Sequence, residues 1–300
     1  MQQNLTSGSV FQNVVRFSLP YLLSYFLQTL YGMADLFIVG QFEPVAATTA
    51  VSIGSQVMHM LTVMLVGLAM GTTVTIAQAV GAGDKKRAAR AVGNTVTLFG
   101  GISALLTVLL LLLVRRITAV MSTPAEAVDG TVQYLTICFL GIPFITAYNV
   151  LSSIFRGMGD SKSPMYFIAC ACVCNIALDY LFMGAMHLGP AGAALGTMLS
   201  QAISVLLALL AISKRGLGLP LHRSDLKPDK AVSGDILKIG FPITCQDGLI
   251  QVAFIVITVI ANQRGLTDAA AVGIVEKVIS FLSKRERPLL INEGCSLLPC

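Results

Sequence analysis

Charge is scarce in this 300-residue chain. Asp, Glu, Lys and Arg make up 12% of it against 55% hydrophobic residues, about half the charged share of a soluble domain. A soluble globular protein is excluded, and the chain reads as an integral membrane protein. Tryptophan is absent and there are only three histidines. No HExxH, GxSxG, Walker or dinucleotide-binding glycine pattern is present, so nothing suggests an enzyme or a nucleotide-driven pump. The first dozen residues lack the basic segment and cleavage site of a secretory signal, which leaves insertion to the first span. The net charge of +5 is read through its placement along the chain and not as a sign of nucleic acid. Of the seven cysteines, Cys138, Cys170, Cys172, Cys174 and Cys245 lie in apolar runs, where a thiol behaves as a small hydrophobe; Cys295 and Cys300 lie in the tail.

What the sequence has in abundance is apolar segments of about 20 residues, the length that crosses a hydrocarbon core. They run approximately from Val14 to Gly40, Val45 to Val80, Val92 to Val114, Thr131 to Phe155, Pro164 to Gly184, Pro190 to Ser213 and Asp235 to Ala261, with an eighth beginning near Leu266. The fold class is therefore all-α, a polytopic membrane protein. The second segment is too long for one straight crossing, and Gly67 and Gly71 would allow bending or close packing there. With the N-terminus in the cytoplasm, sixteen Lys and Arg fall in inside connections, three (Arg115, Arg116, Arg264) fall outside and Lys277 lies within a span. Basic residues near span ends are retained in the cytoplasm, so this asymmetry predicts a multi-pass protein of the cell membrane with a cytoplasmic N-terminus.

The polar stretch Lys214 to Gly234, with Pro220 and Pro228, reads as a solvated linker between two halves. The sequence Arg16-Phe17-Ser18-Leu19-Pro20 before the first span is answered by Lys238-Ile239-Gly240-Phe241-Pro242 before the seventh. Pro44-Val45-Ala46-Ala47 is answered by Thr267-Asp268-Ala269-Ala270. Six spans separate the repeats, an even number, so the halves would be parallel repeats. The organisation expected is a six-span lobe over 1–213, a linker over 214–234, the first two spans of a second lobe over 235–282, and a tail over 283–300. That tail loses the apolar pattern within the eighth span and reads as a truncation or a shifted frame.

A carboxylate in hydrocarbon costs several kcal/mol, so an intramembrane Asp normally faces a cavity or bundle interior. Asp35 and Asp179 each lie five residues before the glycine that closes their span, which puts both roughly 8 Å from its outer end. Thr197, on the inward-running sixth span, reaches a similar level, and Asn175 sits one turn deeper than Asp179. All four are oxygen donors of the kind that bind hard cations such as Na⁺; two adjacent carboxylates would equally serve a proton-coupled carrier. Gln28, Tyr31 and Asn149 are weaker candidates for a cavity lining, and Asp247 and Glu276 are further intramembrane acids. His59 has no acidic neighbour at helical spacing and reads as a packing residue. The blander alternative is that Asp35 snorkels to the interface and Asp179 pairs with a nearby hydroxyl.

Three motifs in order, Gly67 to Asp84 (GLAMGTTVTIAQAVGAGD), Arg156 to Pro164 (RGMGDSKSP) and Gly189 to Thr197 (GPAGAALGT), resemble signatures of the multidrug and toxic-compound extrusion (MATE) transporters. The resemblance covers roughly Val10 to Phe281. It implies two six-helix lobes around a central cavity, needing no cofactor, that export small cationic amphiphiles in exchange for Na⁺ or H⁺. It also implies a monomer in the lipid bilayer that binds no nucleic acid. By the same resemblance Asp35, Asn175, Asp179 and Thr197 match the cation-coupling positions, and Gln28 and Asn149 match polar cavity positions. The alternatives are a lipid-linked saccharide flippase of the wider superfamily, for which a basic cavity would be expected, and an inactive fragment.

Overall fold

In a computed structural model, residues 10–121, 123–220 and 222–264 are described. Among them the regular structure is helical throughout. The eight α-helices are α1 (Val10–Phe42), α2 (Val45–Gly81), α3 (Lys85–Val120), α4 (Val128–Leu140), α5 (Ile142–Gly157), α6 (Lys162–Asp179), α7 (Gly189–Arg215) and α8 (Lys230–Arg264). Five helices are long and apolar enough to cross a membrane, or six if the bent pair α4–α5 is counted as one span. The expected eighth span, Glu276, Lys277, the second half of the Thr267–Ala270 repeat and the tail with Cys295 and Cys300 lie outside the described residues.

Two expectations about helix shape resolve differently. The long second span is one continuous helix, and Gly67 and Gly71 serve close packing rather than a bend. A Cβ on Gly71 would collide with the Ile236 carbonyl oxygen of α8, and one on Gly67 would meet the Thr244 Cα at 3.1 Å. Small residues let backbones approach this closely inside a membrane, where burying apolar surface gives no drive to associate. The fourth span, by contrast, is broken: α4 and α5 meet at 48°. Gly141 ends α4 and Pro143 occupies the first turn of α5, where its missing N–H costs nothing. The Met198 side chain of α7 fills the space that a Cβ on Gly141 would need.

The glycine-rich connections earn their composition. Gly83 (φ 73°) and Gly159 (φ 83°) turn the chain in the left-handed region, open to glycine without steric cost. The aspartate that follows each then starts a helix. Asp84 Oδ1 accepts the Arg87 N–H at 2.9 Å, and Asp160 accepts the Lys162 and Ser163 N–H groups at 3.1 and 3.0 Å and the Ser163 hydroxyl at 2.6 Å. These caps satisfy backbone donors that a helix start leaves unpaired.

The helices share two main apolar clusters. One joins Ile38 and Val39 of α1, Val51 of α2, Leu135 and Phe139 of α4 and Ala194 of α7. The other, at the opposite end of the bundle, joins Ile76, Val92, Phe99 and Ile154 with Leu217 and Ile236. Large apolar side chains at Leu19, Leu23, Phe26, Leu30, Met33 and Phe37 of α1 point outward, a stripe at helical spacing suited to lipid tails.

Leu217 in the second cluster anchors the polar stretch after α7, most of whose described residues are exposed. The segment after α7 is docked on α3: Asn94, 1% exposed, accepts the Asp229 N–H at 2.6 Å through Oδ1 and lies 3.5 Å from the Ser233 hydroxyl. A Cβ on Gly93 would collide with the Asp225 carbonyl oxygen. The polar composition supplies this hydrogen bonding while most of the described segment stays exposed. Asn94→Ala is expected to cost about 1–3 kcal/mol by leaving the Asp229 N–H unpaired. Faster tryptic cleavage after Lys230 and a lowered melting temperature of the purified protein would register it.

Candidate functional site

Asp35, Asn175, Asp179 and Thr197 do converge. They sit on α1, α6, α6 and α7, and all are buried, with Asn175 and Asp179 at 0% exposure and Asp35 at 4%. Asn175 Nδ2 donates to Asp179 Oδ1 at 3.3 Å across one helical turn. The Asp35 and Asp179 carboxyls face each other across the α1–α6 seam, and Tyr31, one turn from Asp35, approaches both carboxyls and the Thr197 hydroxyl. The interface-snorkelling alternative for Asp35 therefore does not hold.

What distinguishes the cluster is how little of its hydrogen-bonding capacity is used. Asp35 Oδ1, Asp179 Oδ2, Asn175 Oδ1 and Thr197 Oγ1 are all buried without a hydrogen-bond partner. Buried polar groups are ordinarily paired, and each left unpaired costs about 1–3 kcal/mol. Thr197 shows the point well. A threonine in an apolar helix usually spends its hydroxyl on the carbonyl one turn back, as Thr75, Thr95 and Thr131 do at 2.7–2.8 Å; Thr197 does not.

The backbone makes room for this. Gly196 of α7 lies against α6 so closely that a Cβ would collide with Asp179 Oδ1 and come within 3.6 Å of Asn175 Nδ2. Beyond Asp179 the chain passes into a π-helical turn, Tyr180–Ala185. The Tyr180 ring meets Phe42 edge-on at 5.8 Å, an apolar cover at the end of the α1–α6 seam. Such turns are frequent at functional sites. On the α4 side, the Tyr134 hydroxyl pairs with Ser55 of α2 at 3.0 Å, with Cys138 beside it.

The weaker candidates divide. Tyr31 belongs to the cluster. Asn149 is buried, but its amide donates to the Ile145 carbonyl of its own helix at 2.8 Å. Gln28 is half-buried, two turns along α1 from Asp35. Asp247 of α8, 2% exposed, lies against Gly67 of α2, so the structure places it at the α2–α8 contact. His59 is exposed on α2 and is not without a partner there. Cys138 and Cys172 are buried, while Cys170 and Cys245 are exposed; all are free thiols. The role of Gly196 was missed as a functional position, although GPAGAALGT, the motif that contains it, carried the signal.

A bundle of membrane-length helices enclosing an oxygen-only cluster of two carboxylates, an amide and a hydroxyl defines a polytopic membrane protein with a buried polar site. The chain belongs to the MatE family, whose model matches residues 20–181. It is 30% identical over 280 residues to the probable multidrug resistance protein YpnP of Bacillus subtilis, covering 93% of this chain and 62% of that protein. It is 26% identical to the multidrug export protein MepA of Staphylococcus haemolyticus, covering 96% and 63%. A MOP-superfamily transporter from Pyrococcus furiosus superposes with a TM-score of 0.85 at 25% identity, over 96% of this chain and 63% of that one. An outward-facing MATE-family multidrug resistance transporter does so at 0.83 and 25%, over the same shares. The chain thus spans a little over three-fifths of the length of these relatives.

Gly196→Ala tests the geometry directly. The added methyl displaces the Asp179 carboxylate, and the expected result is a lowered melting temperature of the purified protein, with membrane insertion and size-exclusion profile retained.

Proposed function

We propose that this sequence serves a secondary antiporter that exports small organic cations or drugs in exchange for Na⁺ or H⁺, with Asp35, Asn175, Asp179 and Thr197 as the coupling site. The observation that carries the reading is the set of four buried, unpartnered oxygens on three helices. Their donor chemistry is that of a hard cation, and the cluster lacks the thiolate and imidazole ligands that zinc, copper and iron favour. The names of YpnP and MepA, both of multidrug resistance or export, support the substrate class.

In this reading a Na⁺, or a proton held between the two carboxyls, neutralises charge buried at the α1–α6 seam. Neutralisation changes the free-energy difference between two arrangements of the helices, and that difference is what couples ion to substrate. A cationic amphiphile is attracted while the carboxylates are charged and released once they are neutral. Asp247, Gln28, Tyr31 and Asn149 would line the path that the substrate takes. The protein would lie as a monomer in the cell membrane with its N-terminus in the cytoplasm, consistent with the distribution of Lys and Arg. An acidic buried cluster runs against a flippase for pyrophosphate-linked saccharides, whose cargo calls for basic partners.

The reading predicts that cells expressing the protein accumulate less ethidium. Asp35→Asn or Asp179→Asn should return accumulation to the level of cells without it, at unchanged membrane abundance. Unchanged efflux in both variants would remove the coupling site from these residues. Titrating external Na⁺ against pH in proteoliposomes separates the two ions.

A further inference from the structure

One buried acceptor beside the cluster remains unassigned. Gln201 of α7 is 5% exposed, and its Oε1 has no hydrogen-bond partner. Its direction follows from its neighbours. Gly196 abuts Asp179 on α6, and Met198 occupies the space in front of Gly141 at the α4–α5 break. Thr197 therefore points between these two contacts into the bundle interior. Gln201, four residues further on, is rotated by only about 40° from Thr197.

Its level follows from the helix register. Gly196 meets Asp179, and further along the Ser204 hydroxyl donates to the Phe167 carbonyl at 3.1 Å, so α6 and α7 run antiparallel. Asn175 is four residues from Asp179 and Gln201 four from Thr197, both displaced the same way, about 6 Å along the helix axes. On α1, Leu27 packs against the cluster that holds Phe167, Ala171 and Ala208, beyond Asn175 and Gln201 along their helices, so the adjacent Gln28 lies about a turn further on. Each of the three helices that carries a residue of the carboxylate layer thus carries a carboxamide one or two turns away on the same side: Asn175 below Asp179, Gln201 below Thr197 and Gln28 below Asp35.

We propose that Gln201, with Asn175, forms a neutral second station for the transported cation, one turn from the carboxylate layer, with Gln28 a turn further along the path. This rests on the coupling-site reading above and deepens it. Amide oxygens do not take up a proton near neutral pH, yet they replace the hydration shell of Na⁺, so the station selects a metal cation as the ion served. Asn175 belongs to both layers, its Nδ2 holding Asp179 and its Oδ1 remaining for the ion. A cation leaving the carboxylates then moves to neutral oxygens before it meets apolar side chains, which lowers the barrier to its exchange.

Binding of ²²Na⁺ to the purified full chain at pH 8 tests this, with melting temperature and size-exclusion profile recorded for each variant. Gln201→Leu is expected to weaken Na⁺ binding by about tenfold, the loss of one charge-assisted contact. Gln201→Glu, which places a negative charge on the station, is expected to tighten it, while Asp35→Asn removes saturable binding. Wild-type affinity in both Gln201 variants overturns the station, as does a Gln201→Leu protein that loses only thermal stability. Proton uptake that depends on Asp35, without saturable ²²Na⁺ binding in the wild type, also overturns it and leaves the coupling site standing. Wild-type Na⁺ affinity in Asp35→Asn overturns the coupling site itself.

Discussion

Two carboxyl groups from different helices, Asp35 and Asp179, are brought face to face inside an apolar bundle, and most of the surrounding structure can be traced to making that tolerable. A single charge in such a setting is costly because its hydration has to be replaced. Here the replacement is assembled from side chains one turn away on the same helices, Asn175 on α6 and Tyr31 on α1, and from Thr197 on a third. Bringing three helices within reach of one point requires that one of them present no side chain there. Gly196 meets that need on α7, where any Cβ would collide with Asp179. The π-helical turn after Asp179 and the Phe42–Tyr180 ring pair then cover the seam on the other side of the carboxyls.

The same economy of small residues governs the other half of the bundle, for a different purpose. Gly71 and Gly67 bring the α2 backbone against α8, and Gly93 brings α3 against the connection that leads into it. Asn94 fixes that connection through its side-chain oxygen. The seven helices α1–α7 and the helix α8 after them are thereby joined through backbone contacts as well as side chains. Asp247 lies at the α2–α8 contact, a further buried acid in addition to the Asp35–Asp179 pair.

Most of the span pattern could be read directly from the sequence. Apolar runs located α1, α2, α3, α6, α7 and α8 to within a few residues at most ends, because a membrane imposes one length and one polarity on every crossing. The bent α4–α5 pair was read as one straight segment, since its composition is uniformly apolar and only Gly141 and Pro143 mark the break. The docking of the linker could not be read for a related reason. Its charges and prolines describe a segment in contact with water, and they carry no record that Asn94, more than a hundred residues earlier, accepts a hydrogen bond from it. The site was legible at the level of depth, because Asp35, Asp179 and Thr197 could be placed by counting residues from span ends. Which oxygens are spent and which are free could not be read so. That Asn149 donates to its own helix while Thr197 withholds its hydroxyl is a matter of rotamer and packing, and residue type does not fix either.

The arrangement also distinguishes how firmly each helix is held. α2 is fastened by contacts that involve backbone: Gly71 on α8, Gly157 of α5 against the Thr73 carbonyl and Ile76, and the Thr73 hydroxyl donating to the Ser153 carbonyl at 3.3 Å. None of these responds to charge. α1 packs chiefly on α6 through side chains and is polar at both ends of that seam. At one end is Asp35 with its carboxylate neighbour. At the other the Arg156 guanidinium lies 5.2 Å from the centre of the Tyr21 ring, held by a 2.9 Å bond to Ser153. Pro20, within the helix beside Tyr21, removes one backbone hydrogen bond at that point. A helix attached in this way changes its docking energy when the charge between Asp35 and Asp179 changes, whereas α2 does not. The physical asymmetry of these contacts sets α1, docked chiefly through side chains that include the carboxyl pair, apart from a frame of α2, α5 and α8 held through backbone.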